Sequence, residues 1–385
     1  MVIRSKLADV GTTIFSTMTA LANAAGAINL AQGFPDYPCD PTLGERMAEA
    51  IAEGHNQYAP MPGHALLRMA VASLWQRRRG TLIDADSDVT ITPGATAALF
   101  TAIATIVSPG DDVVILTPAY DSYAPAVRTL GGRVVAVPMN VHDGLLDWTK
   151  LADAITERTS LVIVNTPHNP TGTVMSLDDV DTLASIMANT NALLLSDEVY
   201  DHIVFDGLRH VSPAGHPALA EKTIVVTSFG KTLHVTGWKV GALIAPSAIT
   251  RELRKVHQFL SFSVHTPTQI ALGRYLEQTS NTDNVAAFFQ AKRDLFVHAL
   301  RGSSWTVLPC QGTYFQLLGY GTMADIEDVE AAKTLTTAKG VASIPLSPFM
   351  EGHESAGSLR YLRFCFAKRD ETLLAAADRL KNGMP

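Results

Sequence analysis

Residues 223–246 read TIVVTSFGKTLHVTGWKVGALIAP, and the order of residue types in them sets the frame for everything around them. The apolar run Thr223 to Thr227 reads as a buried strand, and Ser228, Phe229 and Gly230 form a tight exit that holds Lys231 inward rather than toward water. An ammonium removed from bulk water loses hydration. Its pKa falls, and the neutral amine becomes a nucleophile that condenses with an aldehyde. Ser228 and Lys239 flank the lysine at spacings suited to anchoring a phosphate, so the pattern points to pyridoxal phosphate, an aldehyde that carries one.

Two motifs upstream fit the same chemistry. In LVIVNTPHNPTG (161–172) an apolar run ends in polar, turn-forming residues that include Asn169. In ALLLSDEVYDHIVF (192–205) a second run ends at Asp197, with Tyr200 three residues on. Both sites fall at the carboxyl ends of strands, where open α/β sheets bind ligands. A buried Asp beside a pyridine nitrogen keeps that nitrogen protonated and the ring an electron sink, while an amide and a phenol near the ring hydroxyl stabilise its phenolate. Asp197 also has the reading of a strand-end carboxylate capping a turn, against which the spacing to Tyr200 argues; for Tyr200 and Asn169, a buried phenol and a turn residue before Pro170 stand as alternatives. Glu198 is read as structural.

With these residues in place, the chain resembles a fold-type-I pyridoxal-phosphate aminotransferase of class I/II. The likeness runs nearly end to end, through TTIFSTMTALA (12–22), INLAQGFPD (28–36), NQYAPMPG (56–63), PGATAALFTAI (93–103), TPAYDSYAP (117–125), NTPHNPTG (165–172) and YLRFCFAK (361–368). Within the family it is most similar to the methionine aminotransferase branch and the related kynurenine and glutamine transaminases. The resemblance implies an α/β fold with a large domain built on a mostly parallel seven-stranded sheet and a smaller α/β domain from the N- and C-terminal segments. The expected division is residues 1–40, 41–284 and 285–385.

The resemblance also assigns roles. Lys231 forms the Schiff base and then moves a proton between the substrate α-carbon and the cofactor. Gly94, Ala95 and Thr96, at a strand-to-helix junction, offer backbone N–H groups and a helix dipole to the phosphate, joined by Ser228 and Lys239. Many relatives carry arginine where Lys239 stands, and a lysine binds phosphate as a point charge instead of a fork. Tyr120 has two readings, a ring over the cofactor face or a core aromatic. Tyr58 matches the tyrosine that reaches the phosphate of the neighbouring subunit, which implies a homodimer with shared active sites. Arg363 is the expected grip for the substrate α-carboxylate, assisted by Gly33 and Asn169; Arg360 and Lys368 fit the pattern less well. Ile14, Phe15, Tyr58 and Phe349 are expected at the side-chain pocket, with packing at a domain interface as the other reading for each. Being apolar or aromatic, they favour methionine or another large neutral or aromatic amino acid over aspartate.

Composition agrees. A chain of 385 residues with 47% hydrophobic and 17% charged residues has the balance of a soluble enzyme with a large core, and no apolar run approaches a membrane span. The start MVIRSKLADVG lacks the apolar region of a signal peptide, and Cys39, Cys310 and Cys365 are scattered without metal-ligand spacing, so a cytoplasmic, reducing compartment is expected. A net charge of -7 without a basic cluster argues against nucleic acid as a partner. The expected partners are an amino acid and a 2-oxo acid, exchanged in two half-reactions. Two rivals are a lyase on the same scaffold, as in cysteine-S-conjugate β-lyases, and a non-catalytic regulator, which usually carries a DNA-binding module.

Overall fold

The structure, a computed structural model, describes residues 5–8, 10–321, 323–351 and 359–384. Its strands are β1 (Ile28–Asn29), β2 (Val89–Thr92), β3 (Asp112–Thr117), β4 (Arg133–Pro138), β5 (Thr159–Asn165), β6 (Leu193–Asp197), β7 (Thr223–Ser228), β8 (Gly241–Ile244), β9 (Thr306–Val307), β10 (Phe315–Gly319), β11 (Val341–Ala342), β12 (Ile344–Pro345) and β13 (Tyr361–Cys365). Seven form the main sheet in the order β2-β8-β7-β6-β5-β3-β4. Neighbours from β7 across to β4 run parallel, whereas β8 is antiparallel to both β2 and β7.

The parallel strands are near-continuous apolar runs because both sheet faces are covered. Along β3, Val113 and Ile115 pack with Leu99 and Ile103 on one face, and Val114 and Leu116 pack with Leu183 and Met187 on the other. The alternation has a period of two residues, as strand geometry requires. The covering helices start where their sequences say. Ser176 and Asp179 make a reciprocal capping box at the head of helix Leu177–Met187, and helix Ala65–Arg79 stops at Gly80, whose φ of 72° takes the left-handed form.

A second, four-stranded sheet has the order β12-β13-β10-β9 and is antiparallel at every pairing. β1, near the chain start, pairs in parallel with β11. Helix Ile14–Ala25 contributes Met18 and Ala22 to the same apolar cluster as Phe364, Phe366 and Leu373. The two ends of the chain therefore share one packed layer against the main sheet.

Candidate active site

The carboxyl ends of β5, β6 and β7 deliver Asn169, Asp197 with Tyr200, and Ser228 with Lys231 to a single cavity. Ala95 and Thr96 at the first turn of helix Ala95–Ile106, Tyr120 after β3, Lys239 before β8 and Gly33 after β1 close its walls. Ten residues expected from the sequence thus meet. Behind Lys231 the turn Phe229–Thr232 is tight, since a Cβ on Gly230 would stand 2.9 Å from the Thr236 Cα.

Desolvation by burial lowers the Lys231 pKa to about 8, with Arg363 and Lys239 pushing the same way and Asp197 opposing. Burial acts in the opposite sense on Asp197 and raises it to about 6, although its carboxylate accepts from the Tyr123 hydroxyl at 2.6 Å and from the Val199 N–H at 3.3 Å. Burial also holds the Tyr200 phenol protonated. Asn165 ties two strand ends together, donating to the Asp197 carbonyl (2.8 Å) and accepting from the Asn169 N–H (2.8 Å).

Arg363 sits on β13, 2% exposed, and among the described residues its guanidinium pairs with no carboxylate. Its Nη1 donates to the Asn169 Oδ1 at 2.7 Å, and its Nε has no partner. Three rings surround it: Phe315 with its centroid 3.8 Å from Cζ, Phe349 at 5.1 Å and Phe15 at 5.2 Å. A buried cation without a counter-ion is costly, so this arrangement suits an anionic ligand that completes it. Ile14 packs against the main core at the head of its helix and is not in the cavity wall. Tyr58 is 82% exposed, away from the cavity of its own chain, and packs edge-on against Phe262 at 5.4 Å.

The Aminotransferase class I and II profile matches residues 25–380. The chain belongs to the class I and II aminotransferases. It is 47% identical to the methionine aminotransferase of Escherichia coli (strain K12) over 379 residues, covering 98% of this chain and 97% of that one. The crystal structure of YbdL from Escherichia coli, for which a methionine aminotransferase function is described, superposes with a TM-score of 0.96 at 46% identity, covering 99% of both chains. A kynurenine–oxoglutarate transaminase of Dictyostelium discoideum is 33% identical, over 96% of this chain and 94% of its own.

Members of this family use pyridoxal phosphate, and the cavity of this aminotransferase fits it. A Cβ on Gly94, which has φ +83°, would stand 3.3 Å from the Lys239 Nζ, so the bare glycine keeps a space open under that ammonium. The helix that begins at Ala95 has no side-chain cap, which leaves its first N–H groups for an anion. Lys239 itself pairs with no carboxylate among the described residues. Sequence reasoning missed Tyr123, Asn165, Thr236 and Tyr314. The second tyrosine of TPAYDSYAP and the first asparagine of NTPHN lay in motifs already singled out, so proximity to Tyr120 and Asn169 was the available signal. Among the described residues no helix is long and apolar enough to cross a membrane, and no group of three or more His, Cys, Asp or Glu is placed to hold a metal ion.

Proposed function

We propose that this aminotransferase takes methionine or another large neutral or aromatic amino acid as donor, with the residues above in the following roles. When bound, pyridoxal phosphate supplies a protonated pyridine ring that withdraws electrons from the substrate α-carbon. Asp197 keeps that proton in place, oriented by Tyr123 and the Val199 N–H. Asn169 and Tyr200 would serve the ring oxygen, Tyr120 would pack against the ring, and Ala95, Thr96, Ser228 and Lys239 would hold the phosphate, all of them lining the one cavity. Lys231 is neutral for part of the time near pH 8, which suits it to take a proton from the α-carbon and return one. Arg363 and the Gly33 N–H grip the α-carboxylate, so every amino acid is held alike at that end. The first product leaves as a 2-oxo acid, and a second oxo acid takes up the amine through the same groups in reverse order.

The observation that carries the substrate class is the wall around Arg363. It is made of Phe15, Phe315 and Phe349, and the cations lining the neighbouring cavity are Lys231 and Lys239, both already assigned. A second carboxylate would be buried there without a partner, at a cost of several kcal/mol. The 47% identity to a methionine aminotransferase supports the same choice. A donor panel tests it: kcat/KM for methionine and phenylalanine is expected to exceed that for aspartate by roughly 100-fold, and aspartate as best donor would refute it. Borohydride reduction of the yellow holoenzyme is expected to fix the cofactor on Lys231, as mapped by mass spectrometry. The likeness to a kynurenine–oxoglutarate transaminase favours one other reading, a kynurenine or glutamine transaminase that also eliminates from cysteine S-conjugates. Release of pyruvate and ammonia from such a conjugate distinguishes it.

The same proposal covers assembly and setting. A homodimer that lends Tyr58 to the partner's phosphate is supported by the exposure of Tyr58, Phe259 and Phe262. The division at residues 40 and 284 is supported by the second sheet and the β1–β11 pairing. A reducing, cytoplasmic compartment is supported by Cys39, Cys310 and Cys365, all unpaired.

A further inference from the structure

The turn that leads into β10 is strained at one residue and presents the next to the reactive lysine. Thr313 is fully buried and adopts φ +67°, a left-handed conformation that a β-branched residue takes only where its surroundings enforce it. Its N–H donates to the Ile203 carbonyl at 3.0 Å, and the Phe205 N–H donates to the Gln311 carbonyl at 2.8 Å, so the loop after β6 grips this turn from both sides. Strain of this kind collects where a side chain has to be aimed. The side chain aimed here is Tyr314.

Tyr314 has no exposed surface, and its ring stands edge-on to Tyr200 with centroids 5.2 Å apart. Its hydroxyl donates to the Gly33 carbonyl at 2.6 Å, across 281 residues of chain. The Lys231 Nζ approaches that same oxygen at 3.5 Å and lies 5.5 Å from the Tyr314 ring centroid and 5.8 Å from that of Tyr200. The free amine therefore rests against one carbonyl and two ring faces, and the phenol fixes the carbonyl. Only a glycine fits there, since a Cβ would stand 2.8 Å from Phe315 Cζ, so the hydrogen bond from Tyr314 is what fixes the bare peptide. The other charged or titratable groups acting on the amine are Asp197 at the end of β6, Lys239 ahead of β8, and Arg363 and Cys365 on β13. Burial keeps the Tyr314 phenol protonated, so it remains a donor throughout the working pH range.

We propose that Tyr314 is a positioning residue for amino transfer: by fixing the Gly33 peptide, its hydroxyl sets how firmly the free Lys231 amine is held and where the Gly33 N–H meets the substrate carboxylate. This rests on the roles given above to Lys231 and Gly33. The physical reason is that two donors share one carbonyl, the phenol at 2.6 Å and the amine at 3.5 Å, and the first bond weakens the second. A carbonyl oxygen that already accepts from a phenol has less to offer an ammonium, so the lysine gives up its proton more readily than it would beside a free carbonyl. Removing the hydroxyl frees the oxygen for the ammonium and loosens the peptide. Both effects favour the charged lysine.

Tyr314→Phe keeps the ring and its packing and deletes only the hydroxyl. In the apoprotein, the pH dependence of Lys231 acylation by acetic anhydride, mapped by mass spectrometry, is expected to shift its midpoint upward by about 0.5 pH or more. Amide hydrogen exchange over residues 32–36 is expected to quicken about 10-fold. In the holoenzyme, KM for every amino acid is expected to rise roughly 5- to 10-fold with a smaller change in kcat, the size of one lost hydrogen bond. A midpoint that stays or falls, with exchange unchanged and only the melting temperature lowered, would overturn the proposal and leave Tyr314 a packing residue. The apoprotein measurements involve neither cofactor nor substrate. A wild-type protein that transferred no amino group from any donor would therefore refute the functional reading separately, whatever the titration showed.

Discussion

Lys231 carries its charge at neutral pH against its surroundings. Its folded pKa is lowered to about 8 from an ordinary 10.5, so the folded state prefers the neutral amine. Stability from that preference is present above about pH 10.5 and is lost as pH falls through 8. In the apoprotein Lys231→Met is accordingly expected to be more stable than the wild type at pH 7, by about 1–3 kcal/mol, with the gap closing between pH 8 and 10.5 in urea melts. Asp197 has the opposite sign: its pKa is raised to about 6, so the cost of its charge appears as pH climbs from about 4 to 6. Asp197→Asn is expected to stabilise the apoprotein at pH 7 and not at pH 4, while cutting turnover of the holoenzyme by about 1,000-fold. Lys231, Asp197 and Asn169 were legible in the sequence because each ends a local apolar run in a turn. Tyr123 and Tyr314 were not, because what defines them is a contact across 74 and 281 residues.

Among the elements, the strand ends carry the site and their supports lie one residue away. Glu198, read from sequence as structural, is fully buried and accepts from Ser196 at 2.8 Å, Ser212 at 2.6 Å, His210 at 2.7 Å and Arg79. Its N–H donates to the Val226 carbonyl, so the residue following Asp197 is held by both backbone and side chain. At the proposed phosphate end the helix start depends on Gly94. An alanine there has to adopt φ +83° and bring its Cβ to within 3.3 Å of the Lys239 ammonium. Gly94→Ala is expected to weaken cofactor binding about 10-fold or more, read by equilibrium dialysis, with a loss of about 1–2 kcal/mol in stability. The reading of Gly94, Ala95 and Thr96 as a strand-to-helix junction agrees with the strand Val89–Thr92 and the helix that begins at Ala95. That β8 runs against its neighbours had no counterpart in the sequence, since VGALIAP is equally apolar in either direction.

For the whole molecule, the family resemblance implied the mostly parallel seven-stranded sheet and the smaller α/β layer beside it, and the main sheet has those seven strands. The proposed side-chain pocket was less legible, because Phe15, Phe315 and Phe349 come together around Arg363 only after both chain ends pack on one layer. If Tyr58 serves the partner, defects in different subunits complement each other. Mixing Lys231→Ala with Tyr58→Ala subunits after mild dissociation is expected to restore activity, because a hybrid dimer holds one site with both residues intact. No recovery above the sum of the separate variants would place Tyr58 within its own subunit's site or outside catalysis. The pairing of Thr92 with Gly241 has a consequence for synthesis. The turn at Gly94, proposed above to hold the phosphate, leaves the ribosome early, yet Lys239 and the strand that anchors it follow only after some 150 further residues have been made, a separation that delays closure of such contacts. On that proposal a nascent chain has no complete cradle for its cofactor until most of it has been translated, and a messenger cut short before that point is expected to yield a protein that never turns yellow.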